Sequence, residues 1–109
     1  MPSAQRGEVW LVDLGYTAKV RPCLILSIPP DDADRALVTL VPHTTSLRNS
    51  RFETSSQITF LKAGAFDAQN LVTIPTAKLL RRLGTLSADQ LLPVEDAVQA
   101  WLGFRPTPS

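Results

Sequence analysis

A chain of 109 residues with 44% hydrophobic content holds one compact core and leaves no room for a second. Eleven basic and ten acidic side chains leave a formal charge of +1, so no global field draws in nucleic acid or an anionic membrane, and any polyanion site must be local. No apolar run approaches the roughly 20 residues that span a bilayer, and the polar segment from Met1 to Gly7 lacks the apolar stretch of a secretory signal, so a cytosolic protein is expected.

The first strand signal is Glu8 to Leu14, in which Val9, Leu11 and Asp13 alternate with Trp10, Val12 and Leu14, and Gly15 ends it. Tyr16 to Val20 reads as a short loop. Pro22 lacks an N–H and so belongs before the second strand, expected over Cys23 to Ile28. Pro29-Pro30-Asp31-Asp32 is a turn, and Arg35 to Val41 is a third strand that Pro42 interrupts. Arg51 to Thr59 suits a half-exposed fourth strand, followed by Gly64 and a loop. Leu71 to Ile74 is a fifth, ended by Pro75, and Lys78 to Leu83 reads as one helical turn.

The final helix starts either at Ser87, whose spacing to Gln90 is that of a capping box, or near Pro93 as its first residue. Leu91, Val94, Val98 and Trp101 recur at helical spacing opposite Glu95, Asp96 and Gln99, so this helix packs on the sheet. Trp10 and Trp101 read as packing residues. A single domain over residues 1–104 with a flexible tail over 105–109 is expected, of α+β class: a small, strongly twisted β-barrel with a C-terminal amphipathic helix. The mean hydropathy of +0.04 is high for so short a chain and points to a subunit interface, hence a homodimer. The single cysteine, Cys23, sits in an apolar run and reads as a small buried hydrophobe.

Two tracts carry chemistry. Arg21-Pro22 enters one apolar run, and Val41-Pro42-His43-Thr44-Thr45-Ser46 closes another, which places a guanidinium and several hydroxyls at strand ends. A guanidinium fork matches phosphate oxygens and stays charged at any working pH, and a threonine hydroxyl donates or accepts beside it. Equally, Arg21 reads as a solvated charge or a partner of Asp13, and Thr44 and Thr45 as suppliers of turn hydrogen bonds. His43 is the only histidine and an accessory candidate for proton transfer, yet alternation turns it away from Thr44 unless Pro42 distorts the strand.

Gly7-Glu8-Val9-Trp10-Leu11-Val12-Asp13, Arg21-Pro22-Cys23-Leu24-Ile25-Leu26-Ser27, Val41-Pro42-His43-Thr44-Thr45 and Leu83-Gly84-Thr85-Leu86-Ser87, with the terminal helix, together resemble the MazF/PemK toxins of bacterial toxin–antitoxin systems. The resemblance covers nearly the whole chain. It implies an SH3-like barrel, a homodimer, cleavage of single-stranded RNA at short motifs without a metal or cofactor, and inhibition by a cognate antitoxin. It also implies that Arg21 and Thr44 are the catalytic pair. Metal-free RNA cleavage uses the substrate's own 2′-OH on the adjacent phosphate, so the protein needs only fixed donors that hold the reacting oxygens in line and stabilise the developing charge.

Lys19, Thr45, Ser46, Arg48, Arg51, Gln69 and Asn70 are the substrate-binding candidates, the basic ones for phosphates and the amides for the edges of unpaired bases. A solvated surface is the plain alternative for each. Phe52-Glu53 looks like a strand-fixing pair of the family. Two departures stand out: Tyr16 to Val20 is short and lacks an acidic residue, and Gln69-Asn70 stands where an Asp-Gln pair is familiar, which removes a carboxylate. A CcdB-like toxin of the same barrel, which acts by binding a target such as gyrase, is the alternative class, and Trp101-Leu102-Gly103 superficially fits its ending.

Overall fold

The computed structural model describes residues 3–15 and 19–106. Seven antiparallel strands and one helix follow in order: β1 (Glu8–Asp13), β2 (Val20–Ile25), β3 (Leu37–Thr44), β4 (Glu53–Thr54), β5 (Ala65–Asp67), β6 (Val72–Pro75), β7 (Leu79–Thr85) and α1 (Ala88–Trp101). Single 3-10 turns at Ala68–Asn70 and Thr76–Lys78 flank β6. The ladder runs β4-β5-β3-β2-β1-β7, with β6 beside the first half of β3. It is a small barrel-like sheet with a C-terminal helix, as expected, but no ladder joins β4 to β7, so the strand path is open.

Period-two alternation gives the three central strands a core on each face. Val9, Leu24 and Val41 point to one side, where Phe52, Phe66 and the Val94, Ala97, Val98 and Ala100 face of α1 cover them. Trp10, Val12, Cys23, Ile25, Val38 and Leu40 point to the other and pack with Leu79, with Leu14, Val72 and Ile74 at the margin. Among the described residues, no helix is long and apolar enough to cross a membrane.

Both prolines predicted to bound strands lie inside them. Pro22 is in β2, opposite Leu11, because β3 pairs β2 only from Cys23 onward and one side of residue 22 carries no ladder. Pro42 is in β3, opposite Cys23, where the other side of β3 has passed the end of β6 at Val72 and not yet met β5 at Phe66. A missing N–H costs nothing in either gap.

Other boundaries move for similar reasons. β2 ends at Ile25, and β4 shrinks to two residues because Ser55, Ser56 and Gln57 are solvent-exposed. Ala65–Asp67, expected as loop, is β5, and Leu79–Thr85, expected to begin in a helical turn, is β7 paired along β1 with two register shifts. The helix takes the first predicted start: Ser87 caps it, Gln90 returns the hydrogen bond, and Pro93 lies inside. Trp101 only half packs, its ring 5.3 Å from that of Phe52 with 44% of the residue in solvent. Arg105, placed in the predicted tail, forms an ion pair with Asp96, and residues 107–109 lie outside those described.

Candidate active site

The register between β2 and β3 decides where the two candidate catalytic residues go. Cys23 stands opposite Pro42 in an antiparallel pair, so two residues further out on each strand Arg21 and Thr44 share the same sheet face. β1 supports Arg21 from behind, with Val12 opposite it. Thr44, the last residue of β3, pairs with Ala65 of β5.

Gly64 makes that pairing possible, since a Cβ there would stand 2.2 Å from the Thr44 carbonyl oxygen. Beyond β3 the chain turns sharply: Thr44 Oγ1 accepts the Ser46 N–H at 3.0 Å. The Glu53 carboxylate then pins the following loop by accepting the N–H groups of Arg48 and Ser50, both at 3.1 Å.

A cavity of about 450 Å³ opens over these strand ends. Its polar wall includes Arg21, Thr44, Ser46, Arg48 and Asn70, five of the predicted site residues. Leu14, Pro42, Val72 and Ile74 form its apolar floor.

The remaining candidates do not line it. Lys19 is exposed at the turn where its N–H and carbonyl bond Gly15 and Leu14, and residues 16–18 of the predicted loop lie outside those described. Thr45 and Gln69 are exposed. Arg51 lines a separate groove with Phe104 and Arg105, its guanidinium 4.7 Å above the Phe52 ring.

His43 is buried on the opposite face, edge-on to Phe66 at 5.1 Å, as strand alternation requires. Burial holds its pKa below the ordinary 6.5, which keeps the ring neutral at physiological pH. Cys23 lies under the cavity floor. Burial pushes its thiol up to about 12 against the opposing charge of Arg21, and its S–H points at the Arg21 carbonyl 3.6 Å away. It is no nucleophile in that state.

Two carboxylates in the wall are absent from the sequence-based candidates as cavity residues: Glu53, expected only to fix its strand, and Asp67. Asp67 caps the 3-10 turn, accepting the Gln69 N–H on Oδ1 at 3.1 Å and the Asn70 amide on Oδ2 at 2.5 Å. Residues three apart eclipse on a 3-10 turn, so Asp67 and Asn70 enter the cavity together. That three-residue spacing at Asp67-Ala68-Gln69-Asn70 is the signal a reading centred on Gln69-Asn70 passes over. Among the described residues no His, Cys, Asp and Glu side chains cluster in a metal-holding arrangement.

The arrangement is a donor-rich rim over an apolar floor, suited to a phosphodiester with an unpaired base beside it. A "Probable endoribonuclease MazF" of Mycolicibacterium smegmatis is 29% identical over 107 residues, 92% of this chain and 97% of the relative. The fold matches a mycobacterial endoribonuclease solved in complex with its cognate antitoxin, with a TM-score of 0.81 and 26% identity over 94% of this chain and 98% of that one. It also matches the Mycobacterium tuberculosis toxin MazF-mt6, with a TM-score of 0.74 and 26% identity over 88% of this chain and 96% of that one. The model of the PemK-like, MazF-like toxins of type II toxin–antitoxin systems spans residues 5–102, and the chain belongs to that family.

Proposed function

We propose that the protein is the toxin of a toxin–antitoxin pair and a metal-independent endoribonuclease of single-stranded RNA. The observation that carries this reading is that Arg21 and Thr44, remote in sequence, open into one cavity with Ser46, Arg48 and Asn70. In the reaction the 2′-oxygen attacks the adjacent phosphorus, the P–O5′ bond breaks, and the ends are a 2′,3′-cyclic phosphate and a 5′-OH. Arg21 stabilises the charge on the equatorial phosphoryl oxygens, and Thr44 orients the phosphate or the attacking hydroxyl. A guanidinium is too weak a base to take the 2′ proton, so its role is electrostatic.

Ser46, Arg48 and Asn70 bind the substrate inside the cavity. Lys19, Thr45, Arg51 and Gln69 engage RNA only where the strand leaves it. His43, buried on the opposite face of the sheet against Phe66, is given no role in the cavity. A relative solved with its cognate antitoxin supports an antitoxin for this chain too, as a flexible segment that covers the Arg21 cleft. Exposed Val20, Leu80, Leu92 and Phe104 support a homodimer, to be checked by sedimentation. We place its action in the cytoplasm, with its RNA. Family membership and the Arg21–Thr44 cavity disfavour the CcdB-like alternative.

The test is incubation with mixed-sequence single-stranded RNA in a chelator, followed by end-group analysis. Wild type is expected to leave cyclic phosphate and 5′-OH ends, and Arg21→Ala and Thr44→Ala to cleave roughly 100-fold more slowly or worse. RNA left intact by wild type would overturn the nuclease assignment, and a requirement for metal would reject the mechanism.

A further inference from the structure

Asp67 is an unexpected group to find in a cavity that receives a polyanion. Asp67 lines the cavity that Arg21 and Thr44 also line, and because a carboxylate repels phosphate, the ligand group favoured beside it is a hydrogen-bond donor. A carboxylate has about four acceptor positions on its two oxygens and no donor. The Gln69 N–H occupies one and the Asn70 amide another, and these bonds hold the group in a fixed orientation while acceptor capacity remains on both oxygens. The apolar floor of Leu14, Val72 and Ile74 gives the flat face of a base a surface to lie on. The cavity, about 450 Å³, falls within the range of about 300–1,000 Å³ typical of small-molecule sites.

We infer that Asp67 is the specificity-determining residue of this cavity, accepting from the exocyclic amine of one unpaired base and so excluding uracil at that position. The inference rests on the reading of the cavity as an RNA site. Adenine, cytosine and guanine each carry an exocyclic amine that a carboxylate accepts from. Uracil has none, and its single ring N–H stands between two carbonyl oxygens that a fixed carboxylate repels. Asn70, oriented by Asp67, adds a polar contact beside the amine without setting the preference, because an amide both donates and accepts.

The discriminating variant is Asp67→Asn. Asparagine caps a helical turn about as well as aspartate, so the Gln69 N–H keeps its acceptor and the turn persists, while an amide donor now faces the base. RNA with a short randomised stretch is cleaved by each protein and the new 5′-OH ends are sequenced. Wild type is expected to show one motif position that rejects uracil by about ten-fold or more, and Asp67→Asn to admit uracil there. An equal slowing of all sequences with an unchanged motif would overturn the inference, since a proton acceptor or a purely structural residue behaves that way. So would a wild-type motif that tolerates uracil throughout.

If wild type cleaves nothing, affinity for 2′-deoxy oligonucleotides differing only as uracil or cytosine at one position still reads Asp67. A cytosine preference lost in Asp67→Asn supports the inference even then. Equal affinities overturn it.

Discussion

Glu8 carries a charge inside β1 at 8% exposure, and its donors decide what that charge contributes. Burial alone would raise its pKa, but the Gln5 N–H at 2.8 Å, the Trp10 indole at 3.0 Å and the Arg82 guanidinium at 3.1 Å hold it below the ordinary 4.5. An unfolded chain therefore takes up the proton first as pH falls. The stabilisation is complete above the ordinary value and is lost as pH falls through the depressed folded one. Glu8→Gln points an amide at donors and is expected to cost about 2 kcal/mol at neutral pH. Urea melts of both proteins should converge in acid, and a constant gap down to pH values well below the carboxylate range would contradict the assignment.

Arg21 and Thr44 were legible in the sequence through the family resemblance and not through local pattern, since a strand-end guanidinium and hydroxyl read equally as a solvated charge and a turn former, whereas alternation alone separated His43 from Thr44. Asp67 was not, because its three-residue spacing to Asn70 brings the two together only on a 3-10 turn, which the apolar pattern of the chain does not mark. Arg51 resembled Arg48 in sequence, and only the fold sends the two to different grooves.

Elements were readable where one local pattern sufficed. β1 alternates cleanly, and the apolar spacing of Leu91, Val94 and Val98 marks α1, whereas its start stayed open between Ser87 and Pro93 because a proline also suits a first helical turn. β5 and β7 were not readable, since three residues of β5 carry too little pattern and Leu79-Leu80-Arg81-Arg82-Leu83 is made of good helix formers. Pairing along β1 overrides that preference, and Gly84 allows Phe60 to pack where a Cβ would come within 2.5 Å of its ring.

The start of α1 is the element most open to a single test. Ser87 Oγ accepts the Gln90 N–H at 3.2 Å and the Gln90 side chain accepts the Ser87 N–H at 2.8 Å, so two orphan donors of the first turn are satisfied. Pro93 has no N–H to give, so the first turn depends more heavily on this box. Ser87→Ala is expected to destabilise the fold by about 1 kcal/mol, seen as a lower denaturation midpoint with an unchanged slope. A midpoint equal to wild type would mean that packing of Val94, Ala97 and Val98 on the sheet holds the turn without the cap.

For the molecule as a whole, a formal charge of +1 leaves RNA affinity to the cations that touch phosphate. The cavity wall contains two of them, Arg21 and Arg48, while Lys19 and Arg51 stand elsewhere. Each phosphate contact to a single strand contributes a slope of about −0.7 to the plot of log affinity against log salt. Engagement of the cavity pair alone therefore gives about −1.4, and engagement of all four cations about −2.8. Anisotropy titrations of a labelled 2′-deoxy oligonucleotide too short to leave the cavity, carried across a salt series, are expected to give the shallower value. Arg48→Ala should flatten the slope by about 0.7, whereas Arg51→Ala, which removes a guanidinium stacked on Phe52 in another groove, should leave it unchanged. A flattening in Arg51→Ala equal to that in Arg48→Ala would mean that the bound strand continues past the cavity and along β4, and the contact surface would have to be redrawn to include that groove.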